Sequence, residues 1–260
     1  MATAPNTSLP VLYQQLVPLS SNEHKDWKAR TADSAPWLKD HHAFPITVDE
    51  FAMAQRYYPI VFSAGENPVP LALMGLNDGV NMFIDDEGRL TGRTYVPAYI
   101  RRYPFLLARL RPDSEDLSLC FDPTSETIGA FEDGQPLFEN GEPSELVKNV
   151  LGFCEQWEQS WQKTGAFIKE IQDAKLLIDG EVAIQPPEAA QPYIYRGFQM
   201  VDENKLRDLR GDTLRKMNSS GLLPLVYAHL YSLGLMSDLF AMQMQAGKIP
   251  PQTAPVPANA

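Results

Sequence analysis

The sequence has 260 residues, 44% of them hydrophobic, so it is long enough to bury a sizeable core in one or two domains. Its 33 acidic and 22 basic side chains give a formal net charge of −11 at pH 7. Because such a surface repels a phosphate backbone, we predict no nucleic-acid binding. The two cysteines, Cys120 and Cys154, lack metal-ligand spacing, and residues 1–13 lack the basic start and apolar run of a secretory signal. The expected location is the cytoplasm.

Pro, Ala, Thr and Asn dominate both ends of the chain. Residues 1–10 and 248–260 carry too little apolar surface to offset the entropy of ordering, so we expect both segments to be disordered. No internal repeat occurs at a fixed period between them, which disfavours a solenoid or a propeller. Residues 11–245 are therefore expected to form a single domain.

The first half of the chain has the pattern of short strands separated by turns. A short helix is expected over 47–57, where Thr47 stands three residues before Glu50 in an N-capping pattern. A second short helix is expected over 96–103, with Pro97 at the first helical position and Pro104 ending it. The apolar runs predicted to form strands or hairpins lie at 60–62, 71–76, 81–84, 105–110, 117–121 and 131–138, with a turn at 111–114.

Helical spacing dominates the second half. Apolar residues recur at helical intervals after Ser144, which predicts the first long helix. Asp202 is expected to cap a helix that continues through Met217. A last helix is expected over 222–245, after a break at Gly221.

Two further elements are predicted between these helices. The pair Asp179-Gly180 with apolar flanks over 176–184 predicts a β-hairpin, and residues 193–200 add a strand. Strands concentrated early and long helices late indicate an α+β fold. We expect an antiparallel sheet from the N-terminal half to pack against long C-terminal helices.

Residues 222–240 form the one stretch of membrane-like length and hydrophobicity. Only His229 and Asp238 are ionisable in it, and it also contains Pro224. An aspartate in a bilayer would cost a few kcal/mol. We therefore predict a buried core helix and no transmembrane span.

The side chains that usually perform catalysis do not converge in the sequence. His41 and His42 are adjacent, and adjacent residues of an extended segment point to opposite faces, so they and His24 predict no metal site. His229 is expected to be a hydrogen-bonded core histidine, and the two cysteines are expected to be buried thiols. No Gly-rich phosphate loop, dinucleotide fingerprint or Gly-x-Ser-x-Gly motif occurs. We assign no catalytic residue and predict no metal and no cofactor.

One segment departs from the acidic background. Residues 89–112 contain six arginines and no acid, interleaved with aromatic residues. Guanidinium groups beside aromatic rings suit bidentate capture of carboxylate or phosphate and are enriched at interface hot spots. The alternative is that these arginines pair with acids elsewhere in the fold. The candidate binding residues are Arg93, Tyr95, Tyr99, Arg101, Arg102 and Tyr103.

Several short blocks occur in a combination typical of one protein family. The blocks are Glu50-Phe51, 58–62, Gly75-Leu76, 81–83, 95–105, Leu137-Phe138 with 141–143, Gly197-Phe198 with 201–203, and 228–230 with Ser232-Leu233. Together they resemble the SapC family of bacterial proteins over about residues 11–245. The densest block, 95–105, is also the arginine-rich one, which favours it as the working surface.

The resemblance implies little chemistry. The family is named for an association with surface-layer proteins and is sometimes labelled a peptide-transport permease, a label that conflicts with the single apolar stretch of this chain. Genes of the family often neighbour outer-membrane receptors and flavin-dependent halogenase-like enzymes. The family has no established catalytic residues to carry over to this sequence.

We therefore expect a non-enzymatic accessory or binding protein, in which the neighbourhood of Arg101 and Arg102 holds an anionic small molecule or the acidic face of a protein partner. One alternative is an enzyme with a dispersed site, drawing on His41, His42 or His229 and acting alongside flavin-dependent halogenase-like enzymes. Another is a structural component of the surface layer, which the missing signal disfavours. The sequence does not indicate an oligomeric state.

Overall fold

The structure, a computed structural model, describes residues 9–111, 116–187 and 189–249. These residues form fifteen short strands, seven α-helices and two 3₁₀ helices, Pro36–Leu38 and Val48–Glu50. The strands are β1 Val17–Pro18, β2 Lys28–Ala29, β3 Ala43–Pro45, β4 Ile60–Ser63, β5 Pro70–Leu73, β6 Phe105–Arg109, β7 Leu117–Phe121, β8 Ile128–Gly129, β9 Gln135–Pro136, β10 Phe138–Glu139, β11 Glu142–Pro143, β12 Leu177–Asp179, β13 Val182–Ile184, β14 Tyr193–Tyr195 and β15 Phe198–Val201. The helices are α1 Phe51–Ala54, α2 Ala98–Arg102, α3 Glu145–Asp173, α4 Glu203–Arg207, α5 Gly211–Ser219, α6 Leu222–Ser232 and α7 Leu235–Gln245. Most of the predicted disordered ends, and of the turn predicted at 111–114, lies outside the described residues.

Five antiparallel strands form the main sheet, in the order β12-β15-β4-β5-β3. Strands β4 and β5 pair as the sequence predicts, with Ile60 opposite Ala72. Strand β15 pairs with β4 through Phe198 and Ser63, so the C-terminal half completes the sheet. The α+β class and the antiparallel sheet are confirmed.

Alternate residues of β4 enter two different cores. Ile60 and Phe62 pack in a cluster with Phe167 of α3, whereas Val61 packs in a cluster with Met236 of α7. Successive side chains of a strand point to opposite faces, so one strand serves both cores. The main sheet is therefore covered by helices on both sides, α3 and α6 on one and α7 on the other.

A second sheet, in the order β1-β7-β6, packs against the first half of α3. Strands β6 and β7 form the predicted hairpin, with Phe105 opposite Phe121. Both rings cluster with Val147 and Cys154 of α3. Because α3 is 29 residues long, its second half reaches the main sheet and joins the two sheets into one body.

The predicted starts of α3 and α4 are confirmed, but the helix predicted through Met217 and the last predicted helix are each divided into two. The Ser144 hydroxyl accepts a hydrogen bond from the N–H of Val147 and caps α3, and Asp202 caps α4. The helix predicted through Met217 breaks between α4 and α5. The last predicted helix breaks at Gly234, where the N–H donates to Tyr231 at 3.4 Å in a tighter three-residue turn.

The hairpin predicted at Asp179-Gly180 is wrong in its pairing. Strand β12 pairs with β15 and β13 pairs with β14, so the two flanking strands continue one bent ribbon instead of folding on each other. The Gly180 N–H donates to the Phe198 carbonyl at 2.8 Å and extends the first ladder. Beyond Gly180, Glu181 lies opposite two residues, Arg196 and Gly197, which form a β-bulge. Gly197 has a φ of 93° in this bulge. Gly180 is needed because a Cβ there would lie 2.1 Å from the Phe198 ring.

The strand–turn–strand predicted at 131–138 is also wrong in its pairing. Strands β8 and β9 lie on either side of β2, with Lys28 opposite Gly129 and Pro136. A partner about one hundred residues earlier in the chain leaves no local turn signal. The run 81–84 forms no strand and contributes a single bridge, between Ile84 and Leu90.

Helices α6 and α7 cover the predicted apolar stretch. Residues Leu222–Gln245 are long and apolar enough to cross a membrane by length and composition alone, and 39% of the most apolar window is buried inside the fold. Two buried polar side chains tie these helices to the main sheet and its loop. Ser232 Oγ accepts from the N–H of Ile60 at 2.8 Å, and Gln243 Oε1 accepts from the N–H of Leu76 at 2.6 Å.

Candidate functional site

A buried carboxylate positions the arginine-rich segment. Glu50 accepts hydrogen bonds from the N–H of Ala98 at 2.7 Å and from the Tyr95 hydroxyl at 2.9 Å, as well as from Thr47 in its own turn. The N-capping pattern predicted the local bond to Thr47 but not the contacts with α2. Since Ala98 is the first residue of α2, the Glu50 carboxylate fixes where that helix begins.

Arg101 and Arg102 are adjacent on α2 but lie in opposite environments. Arg101 is exposed, with Nη2 3.4 Å from the Tyr95 hydroxyl and its guanidinium carbon 5.1 Å from the centre of the Phe153 ring. Within the described residues, no ion pair joins Arg101 to an acid. Its charge is therefore available to a ligand.

Arg102 is buried, with 6% of its surface exposed. Its guanidinium carbon lies 3.7 Å from the centre of the Trp157 ring and 4.6 Å from that of Tyr99, in cation–π contact with both. Glu158 Oε1 lies 3.9 Å from Nη1, a long ion pair, and burial raises the pKa of that carboxyl against the opposing effect of Arg102. Arg102 Nε has no hydrogen-bond partner in the described part of the chain. This buried cation is incompletely compensated by the fold.

The remaining predicted site residues divide between interior and surface. The Tyr99 ring is buried, and its hydroxyl donates to the Val11 carbonyl at 2.7 Å. Tyr95 is half-buried, and burial, followed by the nearby Glu50 carboxylate, raises its pKa to about 12. Tyr103 is half-buried beside Trp37, with ring centres 5.6 Å apart.

Arg89 and Arg93, in the same arginine-rich segment, differ in whether they pair with acids of the fold. Arg89 is consumed by the fold, since Nε donates to Asp85 at 3.0 Å and Nη2 to Glu87 at 2.9 Å. Arg93 is exposed and makes no ion pair within the described residues. Internal pairing therefore accounts for part of the segment only.

A cavity of about 420 Å³ opens beside α2. The segment from α2 to β6 forms one wall, the first half of α3 another, and strands β2 and β8 with their flanks a third. Its larger apolar side chains are Trp37, Phe105, Ile128, Leu146, Val150 and Phe153. Its larger polar side chains are Arg30, Arg101, Arg102, Tyr103, Thr127 and Asn149. None of the described residues that line it is acidic.

Arg30 is the third arginine of the cavity, and no local pattern in the sequence marks it. Its Nε donates to Asp133 Oδ1 at 2.9 Å, and its guanidinium carbon lies 3.9 Å from the centre of the Phe131 ring. It reaches the cavity because β2 is inserted between β8 and β9. Only that long-range pairing brings Arg30 near α2.

A protein-family model described as SapC matches residues 19–239. The chain belongs to the SapC family. Comparisons with curated proteins and with solved structures return no match. The matched span includes α2, α3 and every residue that lines the cavity, so the cavity lies within the SapC portion of the chain.

The buried histidine of this SapC protein has a structural role. His229 Nε2 accepts from the N–H of Val201 at 3.0 Å, so Nδ1 carries the proton and donates to the Ile60 carbonyl at 2.7 Å. Burial lowers the pKa of His229 to about 4, although the bond to Ile60 opposes this. The imidazole is neutral near pH 7 and joins β4 to β15. The prediction of a hydrogen-bonded core histidine is confirmed.

The cysteines and the other histidines form no metal-binding group among the described residues. Cys120 and Cys154 are buried thiols, as predicted, and burial raises the pKa of each to about 11. His24 Nδ1 accepts from the N–H of Ser20 at 3.1 Å and so caps a turn. Within the described ranges, no group of three or more His, Cys, Asp and Glu side chains is placed to hold a metal ion.

Proposed function

We propose that this SapC family member is a non-enzymatic binding protein that holds an anionic small molecule in the cavity beside α2. The observation that carries the proposal is a cavity with three arginines and no acid among its described lining residues, in a chain of net charge −11. Its volume of about 420 Å³ is within the range of sites that enclose small ligands. Guanidinium groups are the side chains best suited to bidentate capture of carboxylate or phosphate.

Arg101 and Arg102 contribute differently. Arg101 is exposed and lacks an ion pair in the described part of the chain, so it forms the direct bond to the ligand. Arg102 is held against Trp157 and adds positive potential from within the fold. Apolar walls strengthen a charged contact by excluding water around it.

The placement of the reactive groups favours binding over catalysis. The His229 imidazole spends both nitrogens on backbone groups of the main sheet. The Cys120 and Cys154 thiols, with pKa values near 11, carry little thiolate at neutral pH. No His, Cys, Ser, Lys, Asp or Glu is among the residues that line the cavity in the described part of the chain. Its hydroxyl groups are those of Thr127 and Tyr103, and burial raises the pKa of Tyr103 to about 12.

A fluorescent aromatic anion, 1-anilinonaphthalene-8-sulfonate, tests the proposal. We expect a saturable, single-site increase in fluorescence on titration into the folded protein. Arg101→Gln should weaken binding by about tenfold or more, because a charge-assisted hydrogen bond contributes about 1.5–3 kcal/mol. Arg93→Gln is the matched control, since Arg93 is also exposed on the arginine-rich segment but does not line the cavity.

Comparison of the two variants separates the cavity from a surface that binds a protein partner. Equal affinity of Arg101→Gln and wild type for the anion, with unchanged circular dichroism, would show that the cavity is not the site. An acidic protein partner is the second candidate, favoured by the exposure of both Arg93 and Arg101 without ion pairs among the described residues. That candidate predicts equal losses of partner binding in both variants.

A further inference from the structure

The charge balance of the cavity narrows the class of ligand. Resting on the proposed function, we infer that the cavity binds a hydrophobic monocarboxylic acid: one carboxylate on an apolar body. The ligand's carboxylate bonds to Arg101, and its body lies against the aromatic and aliphatic wall.

Only one of the three arginines carries a charge that no acid offsets. Arg30 is neutralised by Asp133 through its Nε and Nη2, and Arg102 faces Glu158 at 3.9 Å. Arg101 has no such partner in the described ranges. Glu158 offsets the buried Arg102 only in part, so Arg101 is the one exposed guanidinium of the cavity with no paired acid in those ranges, and it can bind a single carboxylate directly.

A doubly charged ligand would fit this balance poorly. A phosphate monoester carries a charge of about −1.5 to −2 at neutral pH. Its second charge would find no further unpaired guanidinium among the described lining residues, because Asp133 already pairs with Arg30 and Glu158 with Arg102. Carboxylate is also planar and matches the two parallel N–H donors of a guanidinium fork.

The wall next to Arg101 is mostly apolar, and Asn149 is the polar residue that α3 adds to it. The centre of the Phe153 ring lies 5.1 Å from the Arg101 guanidinium carbon, and Val150 and Leu146 continue the same helix towards its start. Trp37 and Tyr103 lie against each other on the α2 side. A ligand anchored at Arg101 therefore places its remaining atoms against hydrocarbon, which favours an aryl or alkyl body over a sugar or a peptide.

Displacement of the bound anilinonaphthalene anion by matched compounds tests the inference. The set is 2-naphthoate, its neutral isostere 2-naphthamide, 2-naphthyl phosphate, and decanoate as an aliphatic acid. We expect both carboxylates to displace the probe at about tenfold lower concentration than the amide, and the phosphate to be weaker than 2-naphthoate. Arg101→Gln should remove the difference between 2-naphthoate and 2-naphthamide. Arg101→Lys, which keeps the charge without the fork, should retain part of it, and Arg93→Gln should retain it in full.

The outcomes separate this inference from the proposed function. Arg101-dependent probe binding, with the phosphate or the amide equal to or stronger than 2-naphthoate, would overturn the ligand class while leaving the binding site standing. Failure of the probe to bind at all would be followed by calorimetry with 2-naphthoate directly. Absence of heat in that titration would overturn both.

Discussion

One buried residue, His229, should contribute to the destabilisation of this protein by acid. The imidazole is 0% exposed and hydrogen-bonded by both nitrogens in its neutral form. A proton on it would break the bond from Val201 and place a charge in the core. The folded state therefore resists protonation until about pH 4, whereas the unfolded chain accepts the proton near pH 6.5.

The direction and the size of the pH effect on stability follow from the difference between the folded and unfolded pKa of His229. Between pH 6.5 and about 4 the unfolded state binds one proton more than the folded state, so the free energy of unfolding falls as pH falls. Each pKa unit corresponds to about 1.4 kcal/mol, which gives about 3 kcal/mol over the whole range and about 2 kcal/mol by pH 5. A loss of that size is a large fraction of the stability of an ordinary domain.

Comparison with His229→Gln isolates the effect from that of the carboxylates. Glutamine keeps a donor and an acceptor but does not titrate, and we expect it to cost about 1–3 kcal/mol near pH 7. Because wild type loses the histidine contribution on acidification, its advantage over His229→Gln should shrink by about 2 kcal/mol between about pH 7 and about pH 5.

Urea unfolding followed by tryptophan fluorescence measures these free energies, and the imidazole NMR signal of residue 229 measures its titration directly. The series should stay above the sequence pI of about 4.8, where low net charge promotes precipitation. A constant gap between wild type and His229→Gln across this range would refute the reasoning. So would a residue-229 imidazole that titrates near 6.5 in the folded protein.

Two further predictions concern packing and reactivity. Gly180→Ala should destabilise the fold by about 1–3 kcal/mol in thermal or urea unfolding, because the new Cβ would lie 2.1 Å from the Phe198 ring. Gly152→Ala, in α3 with nothing within 4 Å of the added carbon, should instead stabilise it by about 0.5–1 kcal/mol, and a loss at both positions would contradict the contrast. Cys120 and Cys154 should react with iodoacetamide much more slowly in the folded protein at neutral pH than in urea, as mass spectrometry would show; equal rates would contradict their burial.

Local pattern predicted the elements of this fold better than their pairing. Strands β6 and β7 are joined by a short connection, so their apolar runs were enough to predict the hairpin. Asp179-Gly180 has the composition of a turn, yet β12 and β13 continue one bent ribbon, because β12 pairs with β15 and β13 with β14. Turn composition indicates that a backbone can bend, whereas contacts with residues distant in the chain decide which strand it pairs with.

In the candidate site, too, local pattern predicted single features, and long-range contacts determined how they are arranged. The excess of arginine over acid in 89–112 marked the segment, but adjacent positions on α2 point Arg101 outwards and Arg102 into the core. Glu50 was predicted to cap its own turn, and its second role at Ala98 depends on a contact 48 residues away. Arg30 joins the cavity only through the insertion of β2 between two later strands.

By itself the sequence determined the α+β class, the SapC relationship, the acidic balance of the chain and its one cationic segment, because composition and short-range spacing are properties of the chain alone. The tertiary structure decided which arginine is free, which are offset by acids, and that an apolar cavity lies beside them. Those outcomes depend on contacts between residues far apart in the chain, and the free energy of a charge is set by the groups that surround it rather than by its neighbours in sequence.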